Sequence, residues 1–216
     1  METRDELHQW IMEKKCLACV EALKKSRFDA RYCQNVAEAK AFVLDAAEKA
    51  ETVGFGSSVT TRALNLPEEI GRMGKELLIH KQPGFTPEQR AEVRRRQYTC
   101  DLFLTSTNAL TMDGKLVNVD GTGNRVAAMI HGPKKVIVIT GRNKLVEGVH
   151  QALDRIKNYV APANAKRLGY KLNCAQTGFC TDCDSPQRIC NITTIIEKKP
   201  ANTDLTVLLV NEDLGL

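Results

Sequence analysis

Apolar and polar positions along this chain recur in two periods, and each change of period marks an element. Leu7, Trp10, Ile11, Lys14 and Ala18 keep helical spacing behind Thr3-Arg-Asp-Glu6, a capping box, so a first helix is expected to run to about Lys25. An extended piece, Phe28 to Cys33, follows it. Asn35 then caps a second helix, with Glu38 at the reciprocal position and Val36, Ala39, Val43, Ala46 and Ala47 facing inward. Thr86-Pro87-Glu88-Gln89 starts a further helix, with proline in its first turn. Asp101 to Leu104 is an apolar strand, and Lys134 to Thr140 is a continuous β-branched run of the kind that parallel sheets bury. Leu145, Val149, Leu153, Ile156 and Val160 line one face of a long helix, and strands near Thr193 to Glu197 and Leu205 to Val210 extend the sheet. The alternation predicts an α/β fold, a mainly parallel sheet sandwiched by helices. We expect an N-terminal helical segment over residues 1–50 and an α/β core over 51–216, with a cysteine-rich segment at 174–190.

Two loops interrupt this pattern with polar, small residues where strands should end, which is where open α/β sheets place ligands. The first, Gly54-Phe-Gly56-Ser57-Ser58-Val-Thr60, has the strand, glycine loop, helix layout that cradles a phosphate or carboxylate on backbone N–H groups. It matches neither a Walker loop nor a full dinucleotide fingerprint, and taken alone it divides evenly between a tight turn and a ligand loop. The second runs from Thr105 to Arg125. Met112-Asp113-Gly114-Lys115 within it signals a hairpin with a type I′ turn, and Asp113 reads as a turn residue. Its end, Asp120-Gly121-Thr122-Gly123-Asn124-Arg125, opens a short apolar helix whose free N–H groups suit an anion.

Composition narrows the chemistry. No apolar run approaches the roughly 18 residues of a membrane span, and no signal peptide is visible, so a cytoplasmic protein without membrane contact is expected. The net charge of +5 is modest, and its densest run, Arg90 with Arg94-Arg95-Arg96, lacks interleaved aromatics; a solvated helix face or the rim of an anion site is favoured over nucleic acid. Eight cysteines in a reducing compartment point to metal ligation or burial before a disulfide framework. Cys16 and Cys19 have Cys-x-x-Cys spacing but share a stripe with Met12, Val20 and Leu23, which favours small core residues. Cys174, Cys180, Cys183 and Cys190, spaced Cys-x5-Cys-x2-Cys-x6-Cys, could close on zinc or an iron–sulfur cluster, with a labile disulfide or free thiols as alternatives.

Asp120 is the one carboxylate in a convincing ligand loop and the candidate acid/base group. Gly54, Gly56, Ser57, Ser58, Thr60, Asn108, Gly121, Gly123, Asn124, Arg125 and Lys144 are candidate contacts to a small phosphate- or carboxylate-bearing ligand. Arg125 and Lys144 suit an anion or a rim ion pair equally well, and Asn108 and Asn124 suit ligand or backbone capping. His131 is a minor acid/base candidate.

Asn108-Ala-Leu-Thr-x-Asp-Gly-x-Leu-Val-Asn-x-Asp-Gly-x-Gly-Asn-Arg125, with Gly132-Pro133-Lys-Lys-Val136, Gly141-Arg-Asn-Lys144 and Val210-Asn-Glu-Asp-Leu-Gly215, resembles the LUD-domain family of lactate-utilisation proteins, formerly a domain of unknown function. The resemblance covers nearly the whole chain from Arg27 onward, and Cys-x5-Cys-x2-Cys resembles the tail of one subgroup. It implies the fold of ribose-5-phosphate isomerase, glucosamine-6-phosphate deaminase and the CoA transferases, with Gly54 to Thr60 as the substrate-phosphate or cofactor loop and Asp120-Gly121 facing it. It also implies a subunit or accessory factor of a system oxidising L-lactate to pyruvate with iron–sulfur or flavin-type partner proteins; a homo-oligomer is a further expectation. Two other readings stand beside it: a stand-alone enzyme on a small phosphorylated, carboxylated or CoA-linked substrate, and a ligand-sensing or scaffold protein stapled by zinc.

Overall fold

The computed structural model describes residues 2–216. Its first half comprises α1 (Arg4–Lys25), β1 (Asp29–Cys33), α2 (Val36–Glu48), β2 (Thr52–Phe55), α3 (Val59–Ala63), α4 (Leu66–Arg72), β3 (Glu76–Leu78), α5 (Pro87–Gln97) and β4 (Leu102–Thr105). The second comprises β5 (Ala109–Thr111), β6 (Leu116–Asp120), α6 (Asn124–Ile130), β7 (Lys135–Gly141), β8 (Leu145–Val146), α7 (Val149–Arg155), α8 (Ala161–Arg167), α9 (Asn173–Thr177), β9 (Ile192–Ile196) and β10 (Asp204–Val210). Six strands form an all-parallel sheet in the order β1-β10-β7-β4-β2-β3. The expected α/β sandwich is therefore the observed one.

Strand β7 shows why the sheet is buried on both sides. Val136 and Val138 face α1 and α6, while Ile137 and Ile139 face α2 and the turn after α3, so its unbroken apolar run feeds two cores. Cys16 and Cys19 sit fully buried in the first core, and burial pushes their thiols up to about 11 and about 12. They are packing residues. The helix starts follow local chemistry: Thr3 and Glu6 form a capping box, as do Thr86 and Gln89, and Asn35 accepts from the Glu38 N–H.

The first fifty residues do not stand apart as a helical segment. β1 completes one edge of the sheet, in register with β10 from Asp29↔Thr206 to Cys33↔Val210, and α1 and α2 cover opposite faces.

A second sheet, ordered β8-β5-β6-β9, sits beyond the carboxyl ends of β4 and β7 and packs on α7. It accounts for two departures from the periodicity. β9 pairs antiparallel with β6 and so extends this sheet, not the main one. Leu145 is a strand residue, paired with Leu110, so the helix starts only after Gly148. That helix is also not uniform: a π turn over Ile156–Val160 joins α7 to α8, with the Ala161 N–H donating to the Ile156 carbonyl. The wide turn directly precedes Pro162, whose missing N–H removes a rung from the α-helical ladder.

The hairpin between β5 and β6 is present, but its turn is not type I′. Asp113 keeps negative φ and only Gly114 is left-handed, at φ 84°; the Gly114 N–H donates to the Thr111 carbonyl at 2.8 Å. This is a type I turn closed by a left-handed glycine, the three-residue hairpin loop. Asp113 ties the turn down by accepting from the Thr111 hydroxyl and pairing with Lys115.

A Cβ on Gly114 would also lie 2.9 Å from the backbone of Ala22 and Leu23 in α1. Gly74 has a similar φ of 75° with open space around it. Gly114→Ala is therefore expected to lower Tm by about 5 °C or more, and Gly74→Ala by only about half as much. Thermal melts of the two variants test this; equal losses would show that the contact with α1 is unimportant.

Candidate functional site

Four neighbouring strands, β7, β4, β2 and β3, point their carboxyl ends into one cleft of about 540 Å³. The residues that follow them line it: Lys144 after β7, Ser106 to Asn108 after β4, Gly56 to Thr60 after β2, and His80 and Lys81 after β3. The second sheet supplies Val119 and Asp120, and α8 adds Asn164 and Arg167. Both polar loops singled out by their composition meet here, at the sheet position where α/β folds hold ligands.

Lys144 forms the floor and is 3% exposed. Its ammonium donates to Ser106 Oγ at 2.9 Å, Thr60 Oγ1 at 3.1 Å and the Thr107 carbonyl at 3.3 Å, and no carboxylate pairs with it among the described residues. Loss of water, then repulsion from Arg155 and Arg125, lowers its pKa from 10.5 to about 7. Gly215 packs so closely on Thr60 and Lys144 that a Cβ there would fall 2.5 Å from Thr60 Oγ1. The lysine is thus held in a dry, hydroxyl-lined seat with its charge uncompensated.

Arg125 and Asp120 behave differently. Asp120 Oδ1 receives both Nε and an Nη of Arg125, and the guanidinium also donates to Asn108 Oδ1 at 2.9 Å and the Val119 carbonyl at 3.2 Å. Asn108 Oδ1 in turn accepts from the Val119 N–H at 2.9 Å, so it bridges β6 to Arg125. The rim ion pair is thus realised at Arg125, and Asp120 meets the cleft already half satisfied. Gly56 is needed where the loop passes this pair, since a Cβ would lie 2.6 Å from Thr105 Oγ1 and 3.2 Å from Arg125 Cγ.

Beside the floor is a polar relay that no motif announced. Ser57 is left-handed, at φ 56°, an uncommon conformation for serine. Its Oγ lies 3.3 Å from His80 Nε2, and His80 Nδ1 lies 3.3 Å from Gln97 Nε2. Gln97 Nε2 donates its two hydrogens to the Phe55 and Leu78 carbonyls, which fixes the amide against the His80 ring. Burial, then Arg94 and Lys81, lower the His80 pKa to about 4 and keep the ring neutral. His80 was detectable only as a residue just past a parallel strand. Ser58 caps α3 by accepting from the Thr61 N–H at 3.3 Å.

The cysteine-rich segment is a wall of the same cleft. Pro186 to Ile189 and Asn191 line it, and Asn191 sews the segment to the Asp120 loop, donating from its backbone to the Asp120 carbonyl at 3.0 Å and from Nδ2 to the Gly121 carbonyl at 3.1 Å. Ile189 packs on Gly121, 3.3 Å from where a Cβ would stand. Arg188 organises the segment from inside, donating to the Cys183 carbonyl at 2.6 Å, the Cys190 carbonyl at 3.0 Å and Asp182 at 2.7 Å. Cys174, Cys180, Cys183 and Cys190 are all unbonded and partly buried. Burial, then the neighbouring thiols, raise the pKa of Cys174; burial also raises that of Cys190, so the four sulfurs share one electrostatic neighbourhood. Among the described residues, however, no three His, Cys, Asp or Glu side chains are gathered as a ready ligand set.

Gly121 and Asn124 also line the cleft, but Gly54 and Gly123 do not. Gly54 is a strand residue crowded by α5, its Cβ position 2.9 Å from Phe103 and 3.0 Å from Cys100. Gly123 is the left-handed cap of α6, at φ 83°, lying against Ile192. His131 is exposed at the far end of α6, away from the cleft. No described helix is long and apolar enough to cross a membrane.

A family model described as the LUD domain matches residues 18–210. No curated protein matches the chain. Among solved structures, a duf162 family protein from Deinococcus radiodurans is similar over 97% of this chain and 99% of its own, with 16% identity and a TM-score of 0.49.

The seat of Lys144 makes a pH-dependent prediction. Unfolded, the amine keeps its ordinary 10.5; folded, it titrates at about 7. Between those values the unfolded chain binds more protons, so this lysine costs stability fully below pH 7 and progressively less as pH rises toward 10.5. The Tm of Lys144→Met minus that of the wild type is therefore expected to fall by several degrees as pH climbs through that window. A difference that stays flat across the scan would mean the lysine is not desolvated.

Proposed function

The chain belongs to the LUD-domain family, which is associated with lactate utilisation, and on that premise we propose that its cleft holds a small carboxylate, L-lactate or pyruvate, as the substrate-binding component of a system oxidising L-lactate to pyruvate. The observation that carries this reading is the uncompensated Lys144 ammonium at the floor, flanked by the hydroxyls of Thr60 and Ser106. A carboxylate arriving there supplies the missing counter-charge, and a buried charge-assisted hydrogen bond is among the stronger polar contacts. The Ser57 hydroxyl, which lines the same cleft beside His80, is placed to hydrogen-bond the same ligand.

Electron transfer would belong to iron–sulfur or flavin-type partner proteins, or to a centre on the cysteine wall. Four thiols on one segment, Cys174 in α9 and the others in the loop after it, are soft donors suited to a cluster or to zinc, and closing them on a metal requires the segment to tighten around Arg188. A cluster would supply one-electron redox chemistry; zinc would supply a structural staple.

A second reading draws on the lysine itself. An amine titrating at about 7 is substantially deprotonated at neutral pH and can attack a carbonyl. Pyruvate would condense with Lys144 to an imine with loss of water, which makes the protein a stand-alone enzyme on a 2-oxo acid. Borohydride reduction in the presence of pyruvate would then fix the ligand to Lys144, a mass change absent from Lys144→Met.

The first reading expects L-lactate or pyruvate to raise Tm by several degrees at saturating concentration, with the shift lost in Lys144→Met. Affinity should decline as pH rises above about 7, because the anion binds the protonated lysine. A wild-type protein indifferent to both acids across this pH range would remove the reading. Metal analysis of anaerobically purified protein beside Cys180→Ser/Cys183→Ser decides the cysteine wall separately.

A further inference from the structure

The mouth of the cleft carries a second, larger excess of positive charge. Lys81, Arg94 and Arg167 line it, and Arg62 and Arg90 are near enough to repel the Lys81 ammonium. These side chains come from separate places: α3, the loop after β3, two successive turns of α5, and the last turn of α8. None of the five forms an ion pair among the described residues.

Helix α5 makes the contrast within one element. Its outward arginines are neutralised, Arg95 by Glu92 and Arg96 by Glu76 at 2.5 Å, with Arg96 bidentate on its partner. Its cleft-facing Arg94 has no carboxylate, and its Nε is buried without any hydrogen-bond partner. A buried guanidinium N–H left unsatisfied is costly, and nothing among the described residues offsets the Arg94 charge. Loss of water, followed by the repulsion of Arg167, Arg62, Arg94 and Arg90, holds the Lys81 ammonium below its ordinary range. Among the described residues the only carboxylate side chain lining the cleft, Asp120, is taken up by Arg125.

Size points the same way. A cavity of about 540 Å³ lies within the range of sites for ligands much larger than a three-carbon acid, which would occupy only the floor. A single phosphoryl group would leave most of the five cations unbalanced, whereas two linked ones match them better. The concave placement and the lack of a row of stacking aromatics argue against an extended nucleic acid strand.

We propose that the mouth of the cleft is a diphosphate subsite, in which Lys81, Arg94 and Arg167, backed by Arg62 and Arg90, hold the pyrophosphate group of a small molecule whose other end extends toward Lys144. Only the extension to the floor rests on the carboxylate reading given above. The subsite itself stands on its own residues.

The test is calorimetric titration of the full chain with pyrophosphate, ADP, orthophosphate and pyruvate, at fixed ionic strength. Pyrophosphate and ADP should bind at least tenfold tighter than orthophosphate. Arg94→Gln/Arg167→Gln should weaken pyrophosphate about tenfold or more, and Arg62→Gln/Arg90→Gln, both at exposed positions, should weaken it about threefold without altering the fold. Lys144→Met should leave pyrophosphate within twofold. ADP tighter than pyrophosphate would mark a nucleotide as the source of the group; equal affinities would mark the diphosphate alone. Pyrophosphate binding without pyruvate binding would sink the floor reading and keep the subsite. No pyrophosphate binding, binding unchanged in Arg94→Gln/Arg167→Gln, or tight heparin binding that pyrophosphate fails to displace would each overturn the proposal.

Discussion

A lysine ammonium kept almost dry, with hydroxyls and a carbonyl but no carboxylate around it, is the constraint on which this molecule's cleft depends. A neighbouring acid would have relieved it at once, and Asp120 lies in the same cleft wall. Instead Asp120 is engaged by Arg125, which Asn108 steadies in turn. The ion pair engages the one carboxylate side chain that lines the cleft among the described residues. The structure thus maintains, at an expense to folding, a net positive interior, and such expense is a common mark of a binding site. The rest of the architecture serves to hold that arrangement still: the carboxyl ends of β7, β4 and β2, the cap on α3, and the glycines that let the Gly56 loop and the chain at Gly215 approach.

Much of the fold was legible because its determinants are local. Capping boxes at Thr3 and Thr86, the asparagine cap at Asn35 and the β-branched run of β7 each act within a few residues. What escaped was set by partners distant in sequence. Leu145 fits a helical stripe with Val149 yet pairs with Leu110, and β9 finds β6 because the second sheet offered it an open edge. The turn at Gly114 was recognised as a hairpin, but its type depends on whether Asp113 takes positive φ, and Asp-Gly permits either answer.

The same distinction divides the site. Loops rich in glycine and hydroxyls advertise themselves, so Gly56, Ser57, Thr60, Asn108, Gly121 and Asn124 could be proposed from composition, and they converge. Gly54 was misjudged as part of a loop because a glycine demanded by side-chain crowding in a strand is indistinguishable, in one dimension, from one demanded by a turn. His80 and the cations at the mouth have no motif at all. Arg62, Lys81, Arg94 and Arg167 span more than a hundred residues of chain and become a group only when four elements are folded around one opening.

The π turn between α7 and α8 carries a consequence for how this family of cleft could be remodelled. One extra residue is accommodated per turn there, so everything beyond Val160 is rotated by about 100° from where an uninterrupted helix would put it. Asn164 and Arg167 face the opening because of that offset. Returning Ile156–Val160 to ordinary winding at unchanged chain length would swing both side chains off the rim, whereas excising one residue would remove the bulge and leave their phase as it is. The mouth's charge is in this sense a matter of phase along a helix, set by how one turn is wound and open to change with no ligand-facing residue replaced.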